Sequence, residues 1–263
     1  MTAFQRRFVA LVSGLILTLL VYAETRSEWP TPGEASHFVR YTQSDDVARF
    51  LSELDHTSEE MVVQVVGRSR ATSIFGSRDL YLVILTAEGI DSPDELDRSR
   101  PTLLLIGSQH GNEQSAKEAS LALIRDLTVG DLRPLLEEVN VLVMPQMNPY
   151  GNYVDIRRNE QDLDLNRDHV KLEAPQTEAI HRVFRRWMPE VTVDAHEKGN
   201  DYYQISYGCV SNANIHPSIQ TFSREVILDE VATDLEKAQV TFHEYLITQR
   251  MGVESSAGAA LPA

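Results

Sequence analysis

Three short runs, Thr102–Ile106, Val139–Met144 and Val191–Ala195, constrain this chain more than any other feature of its 263 residues. The first two are almost wholly apolar, as expected of strands buried on both faces of a sheet, and the last is a third short strand. Helical patterns separate them. Glu113–Leu127 places Leu121, Ile124 and Leu127 on one side, and Thr177–Met188 is ended by Pro189. Upstream, Ser44 resembles a helix cap, and Val47, Phe50, Leu51 and Leu54 predict a helix over Asp45–Leu54. Met61–Val66 and Leu80–Thr86 have strand character, with the glycine-containing segment Gly67–Gly76 joining them as a hairpin. A further helix is expected from Ser218 to about Ala238. The alternation predicts an α/β fold: a mixed, mainly parallel sheet with helices on both faces.

Composition narrows the functional classes. A hydrophobic content of 42% supplies a core. A formal net charge of −15 with no basic patch excludes nucleic acid as a partner. The single cysteine, Cys209, excludes a disulfide framework and a cysteine-rich zinc site. At the N-terminus, Arg6 and Arg7 precede an uncharged, mostly apolar run from Phe8 to Ala23, closing on Val21-Tyr22-Ala23. That order, basic then apolar then small, predicts a secretory signal over 1–23. The run is 16 residues long, short for a span of about 20, so an uncleaved anchor is the lesser alternative. The expected organisation is a signal peptide, a linker or arm over 24–37 containing Pro30, Pro32 and Gly33, and one domain over 38–263. The mature protein is then secreted or periplasmic, with no stable membrane span.

In an open α/β sheet, functional groups gather at the carboxyl ends of strands. One buried strand runs into Gly107-Ser-Gln-His110-Gly-Asn-Glu113, and another into Asp194-Ala-His196-Glu197. His110 and Glu113 can turn an imidazole and a carboxylate to one point, and His196 from a second strand end completes a tripod. Two neutral imidazoles and a carboxylate suit zinc and leave a fourth position open. The other histidines, His37, His56, His169, His181, His216 and His243, read as surface or packing residues. Between the two strand ends lies Arg157-Arg158-Asn-Glu-Gln-Asp162-Leu-Asp164-Leu-Asn166-Arg167-Asp168, whose guanidinium groups could bind carboxylates in pairs of hydrogen bonds.

Together these segments resemble the zinc carboxypeptidase family. Gly67-Arg-Ser69 with Arg78-Asp-Leu80 is similar to its early hairpin motif, with Ser77 where glycine is usual. His110-Gly-Asn-Glu113 resembles the first metal motif, and Asn148-Pro-Tyr150-Gly151 the "N-P-D-G" turn, with tyrosine for aspartate. Asp164-Leu-Asn166-Arg167 matches "D-x-N-R", and Asp194-Ala-His196-Glu197 supplies the second metal histidine. The resemblance spans roughly Asp45 to Ala213. It implies that His110, Glu113 and His196 bind zinc, that Asn166 and Arg167 hold the free carboxylate of a peptide or protein C-terminus, and that Asp164 orients His110. It further implies that Arg157 stabilises the oxyanion, with Arg158 as the fallback.

In the family the general base is a glutamate on a late strand. The late carboxylate here, Glu254, sits in a tail of small residues rather than an apolar strand, so the expectation is that the base is absent and the domain incomplete at its C-terminus. Val226, Ile227, Val231 and Leu235 would then form an uncovered apolar face. Tyr203 and Tyr245 are secondary candidates for the substrate side. Two other functions remain open: a non-catalytic zinc or peptide-binding module, and an aspartoacylase-type deacylase, which the family resembles in fold and metal motif.

Overall fold

The computed structural model describes residues 29–197, 203–209, 212 and 214–245. The predicted signal peptide, Glu254 and the small-residue tail lie outside the described residues. The chain divides into two compact units, Met1–Gly199 and Asn200–Ala263.

In the first unit, the runs Thr102–Ile106 and Val139–Met144 become inner strands of a five-stranded sheet, whereas Val191–Ala195 forms an edge strand whose residues alternate between half-buried and exposed rather than being buried on both faces. The sheet's strands are β1 (Met61–Arg68), β2 (Asp79–Leu85), β3 (Thr102–Gly107), β4 (Asn140–Met144) and β5 (Val191–Ala195), in the spatial order β1-β2-β4-β3-β5. β3 pairs in parallel with both β4 and β5, whereas β1 with β2 and β2 with β4 are antiparallel. The sheet is therefore mixed, and its parallel pairing is confined to β4, β3 and β5, the last two of which carry the histidine motifs.

Alternate side chains build two cores. Leu103, Leu105, Val141 and Val143 face helices α2 (Ser44–Asp55) and α3 (Ser115–Thr128). Leu104, Ile106, Leu142 and Met144 face the other way, onto Ile180, Val183 and Trp187 of α6 (Pro175–Trp187). Every residue of β3 and β4 is buried, which is why both run as continuous apolar sequence. Each such aliphatic side chain contributes about 1.5–3 kcal/mol on burial.

Helix ends differ slightly from the sequence reading. Ser44 is the first helical residue of α2 rather than its cap. The cap residue is Gln43, whose N–H donates to the Asp46 carboxylate at 3.2 Å, and Arg40 donates to the same carboxylate. α6 closes at Met188 in the left-handed region (φ 48°), immediately before Pro189. The arm carries a single-turn helix, α1 (Pro32–Ala35), and Arg125 of α3 pairs with its Glu34.

The second unit holds a parallel pair, β6 (Ile205–Tyr207) and β7 (Phe242–Glu244). The predicted long helix is present in three pieces: α7 (Pro217–Phe222), a π-helical segment Ser223–Leu228, and α8 (Asp229–Lys237). Val231 and Leu235 are buried and Val226 and Ile227 half-buried, so the apolar face expected to stand open is largely covered. Tyr203 packs against the His243 ring at 4.7 Å, and Tyr245 is exposed. Among the described residues no helix is long and apolar enough to cross a membrane.

Candidate metal centre

β3 and β5 pair in register, Ile106 beside Asp194 and Gly107 beside Ala195, so both histidine motifs emerge side by side at one sheet edge. Beyond Gly107 the backbone turns through Ser108 in the left-handed region (φ 54°), and the Ser108 hydroxyl donates to the Glu113 carbonyl at 3.1 Å. The loop is pressed against α4 (Pro149–Val154). A side chain at Gly111 would bring its Cβ to 2.1 Å from the Gly151 carbonyl carbon, so both motifs need glycine where they meet. Asn148 locks the junction. Its Oδ1 accepts from the Gly151 N–H at 2.9 Å, while its amide donates to the carbonyls of Gln109 and Arg157, each at 3.2 Å. Tyr150, where the family carries aspartate, packs edge-on against Phe75.

These constraints bring His110, Glu113 and His196 together, with ligand atoms all within 4.8 Å of one another. Nδ1 of His110 lies 2.7 Å from Glu113 Oε1, and Nδ1 of His196 lies 2.7 Å from Oε2. The far nitrogen of each ring faces a different carboxylate: His110 Nε2 is 3.2 Å from Asp164 Oδ1, and His196 Nε2 is 2.9 Å from Asp194 Oδ2. A ring that gives its Nε2 proton to a carboxylate keeps an Nδ1 lone pair, and both lone pairs then point to the same side as the Glu113 oxygens. That donor set fits a divalent zinc ion held by two imidazoles and one carboxylate.

The electrostatics are polarised in the same sense. Burial opposes ionisation of Glu113, but hydrogen bonds from both imidazoles and from the Glu197 N–H outweigh it and hold the carboxyl at about 2. Burial likewise disfavours charge on His196, yet Asp194 and Glu113 raise it to about 9. A cation at this point would replace that proton. Burial also disfavours the ionised form of Asp164, but Arg157 and His110 hold it below the usual carboxylate range.

Arg157 donates from Nε to Asp164 Oδ2 at 2.9 Å and brings Nη1 to 3.8 Å from Glu113 Oε1. Arg158 instead turns to the Asp162 carbonyl at 2.8 Å, so it is Arg157 that borders the cluster. Asn166 Nδ2 is 3.1 Å from His196 Nε2. The Arg167 guanidinium folds onto the Asn166 carbonyl at 2.8 Å. Asp164, Asn166 and Arg167 lie together because Asp164 caps the short helix α5 (Leu165–Asp168). Two histidines read as packing residues are also tied to the site: His169 Nε2 is 2.8 Å from Gln109 Oε1, and His169 Nδ1 is 3.1 Å from His181 Nε2. No spacing rule marks them, because the contact joins residues 60 positions apart.

The model of the zinc carboxypeptidase family matches residues 47–223. The chain belongs to that family. Carboxypeptidase 2 of Trichophyton tonsurans is 31% identical over 156 residues, covering 54% of this chain and 29% of that protein. Carboxypeptidase SOL1 of Arabidopsis thaliana is 32% identical over 105 residues, 34% of this chain and 21% of that protein. These matches take in less than a third of the relatives' own length. The carboxypeptidase A of Helicoverpa armigera superposes with a TM-score of 0.62 at 17% identity, covering 91% of this chain and 64% of that one, and so shares the fold.

Proposed function

We propose that this zinc carboxypeptidase-family chain is an exported metallocarboxypeptidase domain that acts on the free C-termini of peptides. The observation that carries the reading is the convergence of the His110 and His196 Nδ1 atoms on the two oxygens of Glu113. When bound there, zinc would polarise a carbonyl and lower the pKa of bound water from 15.7 to about 7.

The chain's own residues then divide the work. His110, Glu113 and His196 hold the metal, and Asp164 fixes the orientation of His110. Arg157, already at the edge of the cluster, counters negative charge on the carbonyl oxygen of the scissile bond, where one lost donor costs about 3–4 kcal/mol of barrier. Asn166 and Arg167 recognise the terminal carboxylate. The guanidinium gives an Nη1 N–H to the Asn166 carbonyl and keeps further N–H groups for a carboxylate. The general base is not among these residues, and Glu254 lies outside the described ones. Export follows from Arg6, Arg7 and the apolar run behind them.

The direct test compares a peptide bearing a free C-terminus with the same peptide amidated. Loss of hydrolysis on amidation supports the reading, and equal hydrolysis of both, or cleavage of an N-acyl amino acid alone, turns it toward the deacylase. Zinc and peptide uptake without turnover favours the binding module. The Asp164→Asn variant tests the arrangement separately. It retains an oxygen for the Asn166 N–H cap but loses the charge facing His110. Zinc affinity should fall about 10- to 100-fold with the fold unchanged by circular dichroism.

A further inference from the structure

We propose that His169 is a positioning residue for His196, acting through Gln109 and Asp194, an inference that rests on His196 being a metal ligand. Four hydrogen bonds link α6 to the cluster. His181 Nε2 lies 3.1 Å from His169 Nδ1, and His169 Nε2 lies 2.8 Å from Gln109 Oε1. Gln109 Nε2 donates to Asp194 Oδ1 at 2.7 Å, and Asp194 Oδ2 lies 2.9 Å from His196 Nε2.

With a cation in place of the His196 proton and all rings neutral, one pattern of protons satisfies these four contacts, and the Asn166 amide, 3.1 Å from His196 Nε2, then turns its oxygen rather than its NH₂ to that ring. Asp194 can only accept, so His196 donates from Nε2 and Gln109 presents its NH₂ to the other oxygen. Gln109 then offers its carbonyl oxygen to His169, which must donate from Nε2 and accept at Nδ1 from His181. Burial and the neighbouring His181 hold His169 below the usual imidazole range, in keeping with a neutral ring. Reversing the Gln109 amide would set N–H against N–H at one end and oxygen against carboxylate at the other.

His169 therefore reinforces the Gln109 orientation that Asp194 demands, its Nε2–H holding the amide oxygen so that the NH₂ stays on the carboxylate. The need is local. Asp194 has a 35% exposed side chain on the last turnable stretch of β5, whereas Gln109 is 1% exposed. Without Gln109 the carboxylate would be free to rotate toward water, and His196 would lose the partner that directs its Nδ1 at the metal. Asp168, the residue before His169, anchors the chain to α6 by accepting from the Glu173 and Ala174 N–H groups at 3.0 and 2.9 Å, which fixes the ring that reads Gln109.

The test measures zinc affinity by chelator competition, together with the visible absorption of the cobalt-substituted protein, in the full chain and in His169→Leu and His169→Gln. The leucine variant should bind zinc about tenfold more weakly with an altered cobalt spectrum, and glutamine, which restores an N–H donor, should recover affinity to within about twofold. Unchanged affinity in the leucine variant overturns the proposal, as does equal weakening in both variants with an unaltered cobalt spectrum. Should the leucine variant fail to fold, nitrogen-15 shifts of His169 in the unmutated protein decide: Nε2 protonated supports the chain, and Nδ1 protonated overturns it. Failure of the unmutated protein to bind zinc would instead remove the metal-site reading itself.

Discussion

Replacing His196 with alanine is expected to take the protein from one zinc per chain to a stoichiometry near zero at micromolar metal. The side chain supplies one of three protein donors, and its loss leaves His110 and Glu113 alone. Loss of an outer partner of a ligand typically costs 10- to 100-fold, so loss of the ligand itself should cost on the order of a thousandfold or more. Folding should survive, because His196 lies beyond the last residue of β5 and 28% of its side chain is exposed. Metal analysis after dialysis, paired with circular dichroism, measures both. Retention of stoichiometric zinc by this variant would remove His196 from the site.

The second large effect falls on stability. Asp168 is 4% exposed and takes two backbone N–H groups, from Glu173 and Ala174, and the Thr177 hydroxyl, which together fasten α5 to the first turn of α6. Asp168→Ala strands the two backbone donors, one of them on the buried Ala174, while the Thr177 hydroxyl can still donate to the Ala174 carbonyl at 3.0 Å. Hydrogen bonds to a charged acceptor contribute about 1.5–3 kcal/mol each, but relaxation and water recover part of the loss, so about 3 kcal/mol is expected overall. In a unit of this size that lowers Tm by about 6–12 °C. The pH dependence has a definite sign. Burial opposes ionisation of Asp168, but its hydrogen bonds with Thr177, Ala174 and Glu173 hold its pKa below the usual aspartate value. Its contribution is therefore present above the unfolded pKa near 4 and is lost as pH falls through the folded value. Acid denaturation of Asp168→Asn should accordingly start from a lower stability and show a shallower slope below pH 4.

Much of this architecture is legible along the sequence because it depends on periodicity. β3 and β4 are buried on both faces and say so in every residue, and the amphipathic spacing of α2, α3 and α6 marks their buried sides. The metal cluster is legible for a different reason: Glu113 follows His110 by three residues, and His196 occupies the equivalent end of the neighbouring strand. What the sequence conceals depends on neighbours brought in by folding. Gln43 rather than Ser44 sits at the cap of α2, because the Asp46 carboxylate reaches back from the first turn to its N–H. β6 and β7 are three residues each, too short to carry a period. His169 and His181 look like ordinary histidines until folding brings His169 to Gln109 and His181 to His169. Which of Arg157 and Arg158 borders the cluster likewise depends on which way a loop turns, not on spacing.

Glu113 and His196 stand 83 residues apart along the polypeptide, yet their side chains meet at 2.7 Å. A cation gripped by both would act as a removable staple across that long loop, in a protein whose lone cysteine can form no internal disulfide. Occupancy of the site and resistance to unfolding would then rise and fall together.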